Sequence, residues 1–202
     1  MVNPGHINLT FAKRHISLLS NFWPTLFPQA LMEIRCIKQG KSVPIKFLPS
    51  RYDELNDALK NAAQFNAIGY EIYCTVNPSN HLNAKSVSDE HILGSKFNFA
   101  DADSQESYDS LLQKAPKPDF VVVTGTVPFH RAHFYWELAN PESDFTRWTN
   151  LQRKIAEHHN ADETISNPSR IMRLAGFMTY PSLNKISRGY ISELVSLVEN
   201  SQ

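Results

Sequence analysis

Two carboxylates one residue apart, at the end of an apolar strand, are the strongest chemical signal in this sequence. Residues 97–103 read Phe-Asn-Phe-Ala-Asp-Ala-Asp. Alternate side chains of a strand share a face, so Asp101 and Asp103 project together. Two such charges are costly without a counter-charge, and a divalent cation supplies one. Hard oxygen ligands suit Mg²⁺ or Mn²⁺. The plain alternative is a solvated strand end that opens the next helix, with Asp103 as its N-terminal carboxylate.

A second signal runs from Thr124 to Trp136 (TGTVPFHRAHFYW). A buried strand ends in Thr124-Gly125, a loop follows, and a strand resumes with Arg131 and His133 on one face. Both suit phosphate, the arginine in a bidentate manner. Taken alone, His133 reads as a core histidine, Tyr135 and Trp136 as core aromatics, and His130 as a loop residue facing the other way. The third signal is Asp162, then Arg170, Arg173, Gly176 and Asn184-Lys185. Residues 164–192 hold Arg170, Arg173, Lys185 and Arg188 and no acidic residue. A run of that kind is a solvated face unless the fold sets it beside the carboxylates, where it becomes a phosphate-binding surface.

Other chemistries find no support. His158 and His159 are adjacent, so they diverge on a helix, and no Cys-x-x-Cys accompanies them; a structural zinc site is not expected. Neither a phosphate-binding Gly-x-x-x-x-Gly-Lys loop nor a Gly-x-Ser-x-Gly elbow occurs. Cys36 and Cys74 cannot build a disulfide framework and read as two reduced, half-buried residues of a cytoplasmic protein. Residues 1–10 lack the pattern of a signal peptide, and no stretch approaches the about 18 apolar residues of a membrane span, so no membrane partner is expected.

The elements that must position these residues follow from periodicity. Residues 11–22 read as a short amphipathic helix closed by Pro24. Residues 32–38 alternate as a half-buried strand, Gln39-Gly40 turns the chain, and residues 43–48 return as a hairpin. A helix is predicted over 52–65, a strand over 71–76, and a polar loop over the next twenty residues. The Asp101 strand (97–103) leads into a helix over 104–113, broken by Pro116 and Pro118. Strands follow over 120–124 and 133–138, then a helix over 145–158. Residues 166–185 read as largely irregular, and 190–198 as a closing helix. Strands interleaved with helices predict an α+β sheet backed by helices on one face.

The chain has 202 residues, 42% of them hydrophobic, which favours one globular domain. Its formal net charge is zero, but the charge is blocked. Residues 13–52 carry Lys13, Arg14, Arg35, Lys38, Lys41, Lys46 and Arg51 against Glu33 alone. Residues 101–144 carry eight acidic residues against three basic ones, and 164–192 carry four basic residues and no acidic one. An acidic block between two basic ones is compatible with a metal-dependent site that handles a polyanion.

In this order the three signals resemble the archaeo-eukaryotic primase superfamily, in particular its plasmid- and phage-type RepB-like primase or primase-polymerase domains. The apolar strand ending in Asp101-Ala102-Asp103 is similar to that family's first motif. Thr124-Gly125 with His133-Phe134-Tyr135-Trp136 resembles its second, with Thr for the usual Ser and a longer loop. Asp162 with Arg170-Ile171-Met172-Arg173-Leu174-Ala175-Gly176 and Lys185 resembles its third, with Ala175 where Pro is common. Residues 69–78 resemble the strand that precedes the first motif. The resemblance spans residues 32–190.

The resemblance implies an α+β fold, a mixed or antiparallel sheet with an RRM-like catalytic core and flanking helices. It implies one catalytic domain over residues 1–202, the N-terminal module of a larger replication protein. The activity implied is template-dependent nucleotidyl transfer, making primers on single-stranded DNA in plasmid, phage or mobile-element replication. Asp101, Asp103 and Asp162 would hold two divalent ions, Mg²⁺ or Mn²⁺. Arg131 and His133 would contact the incoming nucleoside triphosphate, with Thr124 at the adjoining turn. Arg173 and Lys185 would hold phosphates of nucleotide or template, while Arg170 would pair with an acidic neighbour. A helicase module is the implied further partner.

Three other readings compete. A polymerase that only extends primers would use the same site. A non-catalytic replication initiator would need a helix with a groove-reading basic face, and none is evident. A nicking enzyme with a tyrosine nucleophile would need a His-hydrophobic-His strand, whereas two residues separate His130 from His133.

Overall fold

The order of apolar residues builds two antiparallel sheets rather than one. The structure is a computed structural model and describes residues 7–114 and 116–199. Most of the signal-peptide reading therefore falls on residues 1–6, outside the described part. Among the described residues, no helix is long and apolar enough to cross a membrane.

The chain opens with helix α1 (Leu9–Ser20), whose N-terminus is capped by the Asn8 side chain, accepting from the amides of Thr10 and Phe11. Pro24 does more than stop this helix. It sits in the first turn of a second, short helix, α2 (Trp23–Leu26), where its missing N–H costs nothing. Strands β1 (Met32–Lys38) and β2 (Lys41–Phe47) form the expected hairpin. Gln39 and Gly40 both have positive φ, as a tight two-residue hairpin turn requires. Helix α3 (Tyr52–Ala67) and strand β3 (Glu71–Thr75) follow. After a long loop come β4 (Ser95–Ala102), α4 (Gln105–Gln113), β5 (Phe120–Gly125), β6 (Arg131–Glu142) and α5 (Phe145–His159). The segment expected to be irregular hides a three-residue strand, β7 (Ile171–Arg173), and a short helix, α6 (Leu183–Ser187).

One sheet has the order β2-β1-β3-β7, the other β4-β6-β5-β8. The last strand, β8 (Ser196–Glu199), replaces the expected closing helix. Ile191, Leu194, Val195 and Val198 also suit a helical period. The open edge of β5 takes the segment instead, pairing Val122 with Leu197 and Val121 with Val198. β-Branched valines favour that outcome. The α+β class and the antiparallel pairing hold.

The main core lies between the sheets and helices α1 and α3. Ile16, Leu19, Ile34, Leu59, Ile72, Phe99 and Tyr135 are all essentially inaccessible there. Cys36 and Cys74 are free thiols within it, fully buried rather than half-buried, and burial pushes both up to about 12. A smaller cluster on the other face of the second sheet packs Phe134 and Trp136 near α4 and α5. Gly176 makes the close approach of α1 possible. Its φ is +91°, and a Cβ there would collide with the carbonyl of Asn8.

Candidate active site

Asp101 lies on β4 directly opposite His133 on β6, a pairing set by sheet register. Asp103 stands just beyond the end of β4, and Ser104, not Asp103, caps α4 by accepting from the Ser107 amide at 3.1 Å. Asp162 belongs to neither sheet. Helix α5 ends at Asn160, which adopts the left-handed conformation, and the chain then turns back toward β4. There the Asp162 N–H donates to the Asp101 carbonyl at 3.2 Å. One carboxylate oxygen from each of Asp101, Asp103 and Asp162 lies within 4.8 Å of the others.

Gln152 is what fastens this arrangement. It is buried on α5, and its amide group donates to the carbonyls of Phe99 (2.7 Å) and Ile165 (3.1 Å). Its oxygen accepts from the Phe99 amide at 2.9 Å. One side chain thus ties β4 to the loop that carries Asp162.

The electrostatics call for a cation. Burial holds the Asp101 carboxyl well above the usual carboxylate range, and the charges of Asp103 and Asp162 push the same way; Lys185 and Arg170 oppose them. The His133 ring is buried, which lowers it to about 3. Its Nε2 lies 3.7 Å from Asp101 Oδ1, while its Nδ1 has no partner. Three converging hard oxygens around an under-compensated, partly buried carboxylate fit Mg²⁺ or Mn²⁺.

The triad opens into a cavity of about 460 Å³ whose walls also include Thr124, Arg131, His133, Arg173 and Lys185, together with Arg170. All eight residues expected at the site therefore face one space, but the cations differ in their freedom. Arg131 pairs with Glu193 at 3.2 Å, donates to the carbonyls of Val127 and Phe129, and stacks 4.3 Å from the Tyr190 ring centroid. Gly125 lets it pass, because a Cβ there would collide with its guanidinium. Arg173 forms a short ion pair with Glu71 and lies over Tyr73. The acidic pairing expected for Arg170 thus belongs to Arg173. Among the described residues neither Arg170 nor Lys185 has a carboxylate within ion-pair distance, and the buried Nε of Arg170 has no partner.

The Arg170 guanidinium donates to the Thr164 carbonyl, and the two residues before it are anchored. Asp89 accepts from the Ser169 amide (2.9 Å), and Asn77 donates to the Pro168 carbonyl (2.9 Å). Glu71, Glu193, Asp89 and Gln152 were not singled out by sequence reasoning. Each acts across elements distant in the chain, and no local pattern marks them.

By sequence, no family model and no curated relative matches the chain. By structure it resembles the primase-polymerase domain of cyanophage S-2L, at 22% identity over 97% of this chain and 92% of that one, with a TM-score of 0.63. It also resembles the primase RepB′, at 16% identity and a TM-score of 0.60, spanning 93% of this chain but only 56% of that protein. The catalytic domain of RepB′, solved in complex with initiator DNA, matches at 16% identity over 91% of this chain and 83% of its own, with a TM-score of 0.56. The chain therefore has the fold of the RepB-like primases and primase-polymerases.

Proposed function

We propose that this chain is a primase or primase-polymerase catalytic domain, a nucleotidyltransferase that copies single-stranded DNA from nucleoside triphosphates. The observation that carries the reading is the convergence of Asp101, Asp103 and Asp162 at the mouth of a cation-walled cavity, on this fold. The three carboxylates would hold divalent metal. When bound, such ions lower the pKa of an attacking 3′-hydroxyl and stabilise charge on the phosphorus.

The protein's own groups do the rest. Arg170 and Lys185, unpaired by carboxylates, supply charge for the triphosphate. Arg131 and Arg173, each already bound to a glutamate, shape the walls and contribute less net charge. His133 borders Asp101 from the neighbouring strand and limits the positions open to that carboxylate. Gln152 holds the Asp162 loop so that the three ligands need little rearrangement.

The test is incorporation of labelled nucleotide on an unprimed single-stranded template with Mg²⁺ or Mn²⁺, with and without an added primer. Metal-dependent product without primer is the expected result. Product only when a primer is supplied would assign extension alone. No product in either case would remove the reading.

A further inference from the structure

We infer that α6 and the turn after it form the surface on which a single polynucleotide strand lies as it passes the cavity. This rests on the nucleotidyltransferase reading and adds where the template sits. Helix α6 buries none of its five residues. Leu183 is 84% exposed, Ile186 52% and Ile191 50%. Leu183 is left almost bare and the other two keep half their surface in solvent, an apolar exposure concentrated on one short element beside the cavity, as a surface shaped for an outside partner would have.

The chemistry of that partner is set by charge. Lys185 and Arg188 project from the same stretch, and residues 164–192 contain no carboxylate. Lys185 and Arg188 both flank the ring of Tyr190, at 5.6 and 5.3 Å from its centroid, with Arg131 on the same ring. Glu193, the next acid along the chain, is turned inward and consumed by Arg131 and the Thr126 amide. Cations alternating with apolar side chains match a strand that presents phosphates on one side and base faces on the other. An acidic or neutral protein surface would match the aliphatics but leave this alternation without a purpose. The position agrees too: Lys185 lines the cavity and interacts with Asp101, so a strand on α6 runs past the triad.

The experiment compares the wild-type chain with Leu183→Ser/Ile186→Ser and with Arg188→Ala. Binding of a fluorescent oligothymidylate is measured by anisotropy across a salt series, and binding of a nucleoside triphosphate with Mn²⁺ by calorimetry. All three positions are solvent-exposed, and circular dichroism checks that the variants remain folded. The aliphatic double variant is expected to weaken strand binding about tenfold, from the apolar area that two aliphatic side chains would cover against bases. Arg188→Ala is expected to reduce the log–log salt slope by about 0.7, the value for one phosphate on a single strand. Nucleotide binding should stay within about twofold of wild type, since these side chains lie outside the phosphate pocket. Wild-type strand affinity and salt slope in both variants would overturn this surface while leaving the catalytic reading intact. A wild-type chain that binds no strand and transfers no nucleotide would overturn both.

Discussion

At the scale of single residues, the site divides its arginines by partner. Arg170 faces the cavity without a carboxylate, so Arg170→Ala should leave the fold intact and raise the KM for nucleotide about tenfold or more, the worth of a hydrogen bond to a charged group. Arg173→Ala should do the reverse. It leaves the mostly buried Glu71 charge with only the Tyr180 amide for a partner, and should cost about 3 kcal/mol of stability in urea denaturation. Equal kinetic and stability effects in the two variants would contradict this division. Asp101 gives a third outcome. Its carboxyl is raised by burial and by two neighbouring acids, so without metal its ionisation opposes folding as pH rises above the ordinary carboxylate value. Asp101→Asn should therefore raise the metal-free melting temperature and abolish the further rise that Mn²⁺ gives the wild type. A variant still stabilised by Mn²⁺ would argue against Asp101 as a ligand.

At the scale of elements, the question is what holds β4, the Asp162 loop and the Arg170 segment together. Gln152 makes the first of these joints. Gln152→Leu keeps its approximate volume but leaves buried amide and carbonyl groups of Phe99 and Ile165 short of partners. A loss of about 2 kcal/mol or more is expected by chemical denaturation, with weaker Mn²⁺ binding by calorimetry. A fully stable variant with wild-type metal affinity would show that the joint is not needed. Most individual elements were legible in the sequence because their signals are local. Alternation marked β1, β4 and the hairpin, and the two-residue repeat pointed to Asp101 and Asp103 as neighbours even though β4 ends at Ala102. The approach of Asp162 to Asp101 rests on a backbone hydrogen bond and on Gln152, neither of which leaves a local pattern. The strand β8 was misread because a short apolar run suits both periods, and the free edge of β5 decided between them. The partners of Arg131 and Arg173 were not legible, since Glu193 and Glu71 come from other elements.

At the scale of the molecule, buried ionisable groups make the fold acid-sensitive. His15 on α1 is wholly buried, which, with His133 nearby, lowers it to about 3 from an ordinary 6.5. The unfolded chain takes up that proton first, so stability falls as pH drops from about 6.5 toward 3, by up to about 1.4 kcal/mol per pH unit. Glu33 adds a later loss. Burial raises its carboxyl, but His81 and Arg35 together outweigh burial and hold it below the ordinary value. Its contribution is present above the unfolded value and disappears as pH falls through the folded one. His15→Gln can still accept from the Ala175 amide, as His15 Nδ1 does. It should flatten the urea-midpoint profile between about pH 6 and 4; an unchanged slope would place the acid sensitivity elsewhere. The central claim concerns the meeting of three carboxylates and two cations without carboxylate partners in one cavity. Anomalous diffraction from crystals soaked with Mn²⁺ and a nucleoside triphosphate tests it most directly. Manganese among Asp101, Asp103 and Asp162, with the triphosphate reaching Arg170 and Lys185, is the expected result, and manganese bound away from these three carboxylates would contradict it.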